Sequence, residues 1–168
     1  MDLGLDEFDP EAHSHIGIIG NGNIACDITR MFLKDPSEFH SSDTPEHVMK
    51  KLRKSKVNTV QMIGRRGITQ AAFTTKEIRE LANLANVTTY MVHDEIEDSM
   101  TDASHTEMLD RAIMRRTNFM KETFEQIESG EHYEDVLSRT NEKKLILRFL
   151  RNPTELLSDS GRISGVTL

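Results

Sequence analysis

One run constrains this chain more than any other: His15 to Arg30 reads HIGIIGNGNIACDITR. Ile16, Gly17, Ile18 and Ile19 make an apolar strand. Gly20-Asn21-Gly22-Asn23-Ile24-Ala25 follows at once, and a helical pattern follows that. Strand, Gly-x-Gly-x-x-Ala, helix is the phosphate-gripping corner of a dinucleotide-binding βαβ unit. Gly20 permits the tight turn. Gly22 has no side chain to hold the backbone away from a pyrophosphate. Ala25 lets the helix pack closely on the strand. The helix N-terminus then offers free N–H groups and a partial positive charge to an anion. The hexapeptide alone fits an empty glycine-rich turn equally well; the flanking strand and helix tip the reading to binding.

In such folds the residue that ends the second strand meets the adenosine ribose. A carboxylate there accepts hydrogen bonds from the ribose 2′-OH, whereas arginine accommodates a 2′-phosphate. The β-branched and apolar run Val57 to Ile63 reads as that second strand, and Gly64-Arg65-Arg66-Gly67 ends it. A guanidinium stays charged and presents a planar fork of donors, so Arg65 and Arg66 favour NADP over NAD. The spacing is unusual. The ribose-reading residue lies ~20 positions past the fingerprint in the common pattern, but here residues 35 to 56 insert a loop and a helix. The pairing requires that this insertion bulge outward and leave the two strands adjacent.

Composition narrows the remaining classes. At 168 residues the chain suits one domain with a proper core. A formal net charge of -7 argues against general nucleic-acid binding, which needs a basic footprint. No apolar run approaches the ~20 residues of a membrane span. The acidic start MDLGLDEFDPEA resembles neither a signal peptide nor an Arg-rich transit peptide, and residues 1 to 14 are expected to be flexible. The single cysteine, Cys26, rules out an internal disulfide framework and reads as a small packed residue. The histidines form no ligand set with cysteine or carboxylates, so no metal is expected.

Along the chain, the first helix is expected from Asn23 to about Leu33, where Asp35-Pro36 stops it. Thr44 is placed to cap a second helix, with Pro45 at its first position. The basic residues near its end, Lys50, Lys51, Arg53 and Lys54, suit the helix dipole. Thr74 and Glu77 have capping-box spacing ahead of a helix to about Leu84. Val87 to Val92 reads as a third strand and Asp94 to Asp98 as a solvated acidic loop. Ser104 and Glu107 read as a second capping box, opening one long helix to about Ser129 with an apolar stripe from Met108 to Ile127. Lys144 to Leu150 and Ile163 to Leu168 read as strands, the second preceded by an Asp159-Ser160-Gly161 turn. The fold class is α/β: a Rossmann-like open, mostly parallel sheet flanked by helices, with antiparallel strands near the C-terminus.

The segments GIIGNGNIACDITRMFLKDP and IGRRGITQAAFTTKEIREL, in this order and with this inserted helix, resemble the NADP-binding domain of the adrenodoxin reductase and adrenodoxin-type ferredoxin–NADP reductase family. The tail LRFLRNPTELLSDSGRISGVTL resembles the strand-rich return of that domain. The likeness is strong over residues 15 to 92, moderate over 142 to 168 and loose between. It implies that Asn21, Gly22, Asn23 and Ile24 form the pyrophosphate and ribose turn and that Arg65 and Arg66 clamp the 2′-phosphate. Glu77 and Asp27 match positions near the nicotinamide end. The competing role of Glu77 is the capping box; that of Asp27 is a helix-start carboxylate stabilised by the dipole. Arg79, Arg111 and Arg115, with Arg116 beside them, match or neighbour a basic surface that docks an acidic 2Fe-2S ferredoxin or adrenodoxin.

The resemblance implies hydride transfer from NADPH to FAD, then electron delivery to the ferredoxin. FAD would act in the full-length protein only, because no second Gly-x-Gly-x-x-Gly unit is present. The chain is therefore expected to be an excised, split or degenerate NADP domain, inactive alone. A mitochondrion or plastid-like organelle is implied by resemblance, although the chain itself names no compartment. Two other readings stay open: an NADP-holding module without redox chemistry, and the NADP domain of another flavoenzyme, such as a glutamate-synthase-type or thioredoxin-reductase-like protein. The missing Cys-x-x-Cys pair argues against the last of these.

Overall fold

The computed structural model describes residues 9–39 and 42–168. Residues 1–8 of the expected flexible lead lie outside them. Within the remainder of that lead, Pro10 is buried and its carbonyl accepts from Lys56 N–H at 3.0 Å.

Five strands build one fully parallel sheet: β1 (His15–Ile19), β2 (Thr59–Ile63), β3 (Val87–Val92), β4 (Glu125–Ile127) and β5 (Lys143–Arg148), in the order β1-β2-β5-β3-β4. Ile16 pairs with Val60 and Ile18 with Met62, so the insertion does bulge outward and the two fingerprint strands are neighbours. β5 lies centrally and its residues are almost wholly buried, as expected for a parallel strand covered on both faces. Alternation divides the core. Val60, Met62, Met91, Leu145 and Leu147 pack under α1 (Asn23–Leu33), α3 (Thr75–Ala82) and α6 (Arg111–Thr123) with Phe73, Ile78 and Met120. Tyr90, Val92 and Ile146 face α7 (Glu131–Ser138) and its Val136 on the other side. The insertion carries α2 (Glu46–Arg53), which buries Met49 and Leu52.

Several local expectations fail for identifiable reasons. Thr44 does not cap α2: its hydroxyl shares a 2.7 Å hydrogen bond with Ser42, and Pro45 occupies the cap. Asp94 to Asp98 is not a loop but part of α4 (His93–Ser99), because Glu95, Ile96 and Ser99 are all buried on one side. The single long helix is two. Thr101 caps α5 (Asp102–Glu107), and the Asp110 carboxylate accepts from Ala112 N–H at 2.7 Å and Ile113 N–H at 3.2 Å to start α6. A cap satisfies N–H groups that a continuous helix would use internally, so Asp110 enforces the break. After Phe124 the chain is extended and Ile127 belongs to β4, not to the helix.

The strand expected from Lys144 ends at Arg148 and is parallel, central sheet rather than an antiparallel addition. The antiparallel pair is a separate hairpin, β6 (Glu155–Asp159) with β7 (Arg162–Thr167). Ser160 and Gly161 turn it with φ of 51° and 79°, the double positive values that suit the twist of a two-residue hairpin. The fold class is the expected one: a mostly parallel sheet flanked by helices, with antiparallel strands near the C-terminus. Among the described residues no helix is long and apolar enough to cross a membrane.

Candidate nucleotide-binding site

The carboxyl ends of β1 and β2 open onto a cavity of about 500 Å³. Gly20, Asn21 and Gly22 line one side, and Gly64, Arg65 and Arg66 line another. Ligands of open α/β sheets sit beyond the carboxyl ends of strands. A smaller hollow of about 200 Å³, between α1, α2 and Lys143, lies at the opposite end of β5.

Gly20 has a φ of +123°, a value that strains any side chain, and its N–H donates to Ile63 O at 2.8 Å. This ties the end of β1 to the end of β2. Gly22 is the N-cap of α1, with no side chain capping the helix and no acidic residue in its first turn. A Cβ added at Gly20 or Gly22 would meet nothing within 4 Å. The first N–H groups of α1 thus lie beside open space, which is the arrangement an anion needs. Ala25 is buried against the sheet, while Ile24 is 77% exposed on the first turn.

The two asparagines tie loops together. Asn23 Oδ1 accepts from Thr74 N–H at 2.9 Å, and Asn21 O accepts from Ala72 N–H at 2.8 Å. Asn21 Nδ2 donates to Arg148 O at 3.1 Å, while its Oδ1 is buried without a hydrogen-bond partner. Gly64 must be glycine for this packing: a Cβ there would lie 2.2 Å from Asn21 Nδ2. Arg65 and Arg66 are exposed at the tip of the turn.

Glu77 forms half of the expected capping box. Its N–H donates to Thr74 Oγ1 at 3.3 Å, but Thr74 N–H goes to Asn23, so the carboxylate is not drawn back to the cap. Instead Glu77 Oε2 lies 3.2 Å from an Arg30 nitrogen, without an aligned hydrogen bond. Asp27 and Glu80 meet the same guanidinium. Asp27 and Glu77 are therefore brought together at Arg30, on the seam of α1 and α3, and do not line the cavity. Burial pushes the adjacent Cys26 thiol up to about 12, with Glu77 contributing in the same direction.

Arg79 stacks over the Phe119 ring at 5.4 Å, which places it one helical turn from Arg115 on α6; Arg111 and Arg115 are both exposed. Arg116 is not part of that surface. Its guanidinium donates to Phe73 O at 3.1 Å and Thr69 O at 2.7 Å, and burial lowers its pKa.

One cluster had no sequence signal. Glu95 on α4 accepts from Arg148 at 2.6 and 2.8 Å, from Arg151 Nε at 2.5 Å and from Phe149 N–H at 2.8 Å. Burial opposes the Arg148 charge, but the bonds to Glu95 and to Tyr133 outweigh it and hold the guanidinium above its ordinary pKa. Glu95 stood in an acidic run that reads as solvated surface, and Arg148 at the end of an apolar strand.

The sequence and fold of this chain are similar to those of known proteins. The probable NADPH:adrenodoxin oxidoreductase of Dictyostelium discoideum is 32% identical over 156 residues, 92% of this chain. The NADPH-ferredoxin reductase FprA of Mycobacterium tuberculosis is 34% identical over 139 residues, 83% of this chain. Over this stretch the chain is homologous to the adrenodoxin reductase and FprA proteins. It spans 28% of the length of each of these two relatives. The structure of M. tuberculosis FprA in complex with NADPH superposes with a TM-score of 0.69 at 28% identity, covering 94% of this chain and 36% of that one. No family model matches the chain. Relatives named mitochondrial and relatives from bacteria both align.

Proposed function

We propose that residues 1–168 form the NADP(H)-binding domain of a flavin-dependent reductase that passes electrons from NADPH through FAD to a ferredoxin or adrenodoxin. The observation that carries this reading is a single cavity shared by the uncapped fingerprint turn and the Arg65–Arg66 turn. The residues present fit the nucleotide. Gly20 to Ala25 bring backbone donors to a pyrophosphate, the two arginines supply charge for a 2′-phosphate, and the buried Asn21 Oδ1 is an acceptor still without a donor. Glu77 and Asp27, which meet at Arg30 outside the cavity, are assigned to the nicotinamide end by the resemblance alone. NADPH, when bound, supplies a hydride; the protein's part is to hold and orient its donor. On this reading the FAD is held by a part of the full-length protein other than residues 1–168.

On this reading Arg79, Arg111 and Arg115 form a local positive surface that steers an acidic 2Fe-2S ferredoxin. The names of the mitochondrial relatives favour that organelle. Calorimetric titration with NADP and NAD tests the central claim. NADP binds more tightly, and Arg65→Ala and Arg66→Ala each weaken it by about 1.5–3 kcal/mol, the worth of a charge-assisted contact, leaving NAD unaffected. Equal binding of the two nucleotides overturns the assignment.

A further inference from the structure

We propose that Glu95 is a positioning residue for recognition of a nucleotide 2′-phosphate, acting through residues 148–151 on the Arg65–Arg66 turn. The inference rests on the NADP reading above and assigns a source to its selectivity.

The exposed turn is held by three backbone hydrogen bonds, all to one short segment. Gly64 N–H donates to Arg148 O at 2.9 Å, Leu150 N–H to Arg66 O at 3.2 Å, and Arg151 N–H to Gly64 O at 3.0 Å. That segment follows β5 and has an irregular backbone, with Leu150 at a φ of 54°. Phe149 N–H takes no part in those backbone bonds. Glu95 supplies the support: its carboxylate accepts from the Phe149 N–H and from the side chains of Arg148 and Arg151, on both flanks of Leu150. The carboxylate is 1% exposed, so these bonds form away from competing water. Arg148 is braced in turn by Tyr133. The ring lies 4.4 Å from the guanidinium, and the hydroxyl accepts at 2.5 Å while donating to Gln61 on β2 at 2.7 Å.

The Arg148 carbonyl also accepts from Asn21 Nδ2. One carbonyl thus joins the fingerprint turn to the ribose turn, and Glu95 fixes the residue that carries it. Arg65 and Arg66 are long and exposed, and they reach a phosphate productively only from a fixed backbone. Preorganisation of this kind governs how much of a charge-assisted contact is realised.

Charge and position predict opposite outcomes, which makes the proposal testable. Removing a negative carboxylate near a phosphate site strengthens anion binding by Coulomb's law alone. Loosening the turn weakens it. The probes are 2′,5′-ADP and 5′-AMP, which differ only in the 2′-phosphate, titrated into the full chain. The wild type prefers 2′,5′-ADP. Glu95→Gln lowers that preference by about tenfold, the order of loss expected from a displaced contact, with 5′-AMP affinity nearly unchanged. An unchanged or increased preference in Glu95→Gln overturns the inference while leaving the NADP reading intact. No preference in the wild type overturns both. Where Glu95→Gln does not fold, Arg151→Met leaves the paired Arg148–Glu95 in place and carries the test. It lowers the preference about threefold relative to wild type, equally at 0.05 and roughly 0.5 M salt, where screening suppresses a purely electrostatic effect. A loss that disappears at high salt, or no loss, overturns the proposal.

Discussion

Replacing Gly64 by alanine isolates the contact on which the two halves of the cavity meet. The added methyl lies 2.2 Å from Asn21 Nδ2 and 2.8 Å from its Cγ, roughly 0.7–1.3 Å inside ordinary contact at about 3.5 Å. Gly64 does not have a positive φ, so alanine is acceptable to the backbone and the clash is the whole effect. Asn21 must rotate away and release Arg148 O. Overpacking of this kind costs about 1–3 kcal/mol, and the lost hydrogen bond about 1 kcal/mol. Gly64 N–H still satisfies Arg148 O, and the displaced Asn21 Oδ1, buried without a partner, returns to water. Both facts hold the net loss near 2–3 kcal/mol, or about 5–10 °C in Tm for a chain of this size. Urea denaturation followed by circular dichroism measures it. The decisive comparison is Gly64→Ala in an Asn21→Ala background. There the nearest Asn21 atom left is Cβ, at 3.3 Å, and the cost falls below ~1 kcal/mol, a coupling of about 2 kcal/mol between adjacent sites. An equal cost in both backgrounds refutes the argument that Asn21 is what makes glycine necessary.

Two further predictions concern other parts of the molecule. Cys26, held at about 12 by burial against an ordinary value of 9.0, stays protonated and unreactive toward disulfide reagents at pH 8 in the folded protein and reacts on unfolding. Because its folded pKa is the higher one, its contribution to stability is intact below pH 9.0 and lost as pH rises toward about 12; Cys26→Ala flattens that alkaline loss in a denaturation series. On the proposed function, charge reversal at Arg111 and Arg115 in the full-length protein slows ferredoxin reduction about tenfold at low salt, with the difference fading as salt rises; unchanged rates refute the docking surface.

The site is legible in the sequence where its chemistry is local. Gly20, Gly22 and Ala25 declare a strand–turn–helix corner through backbone freedom and side-chain size, and α1 runs over the expected residues. Arg65 and Arg66 follow directly from the end of β2. The misreadings share a different origin. Ser104 and Glu107 have capping-box spacing, but Thr101 and Asp110 sit where the chain bends and take the caps. Lys144 to Leu150 reads as a strand, yet its direction and its central place depend on partners on β2 and β3. The acidic run at Asp94 looks solvated because the arginines that need Glu95 lie more than fifty residues away.

The sequence by itself determined the strand–turn–helix corner at Gly20 to Ala25, the arginine turn and the alternation of strands with helices. Each depends on residues within a few positions of one another, where glycine conformation, side-chain period and guanidinium chemistry act directly. Only the tertiary structure decided that β1 and β2 are neighbours despite the insertion, that β5 enters between β2 and β3, and that Glu95 gathers bonds from Arg148, Phe149 and Arg151. Those outcomes turn on burial and on pairing between distant segments. A buried carboxylate persists only where donors converge on it from several elements, and that convergence exists only in the folded chain.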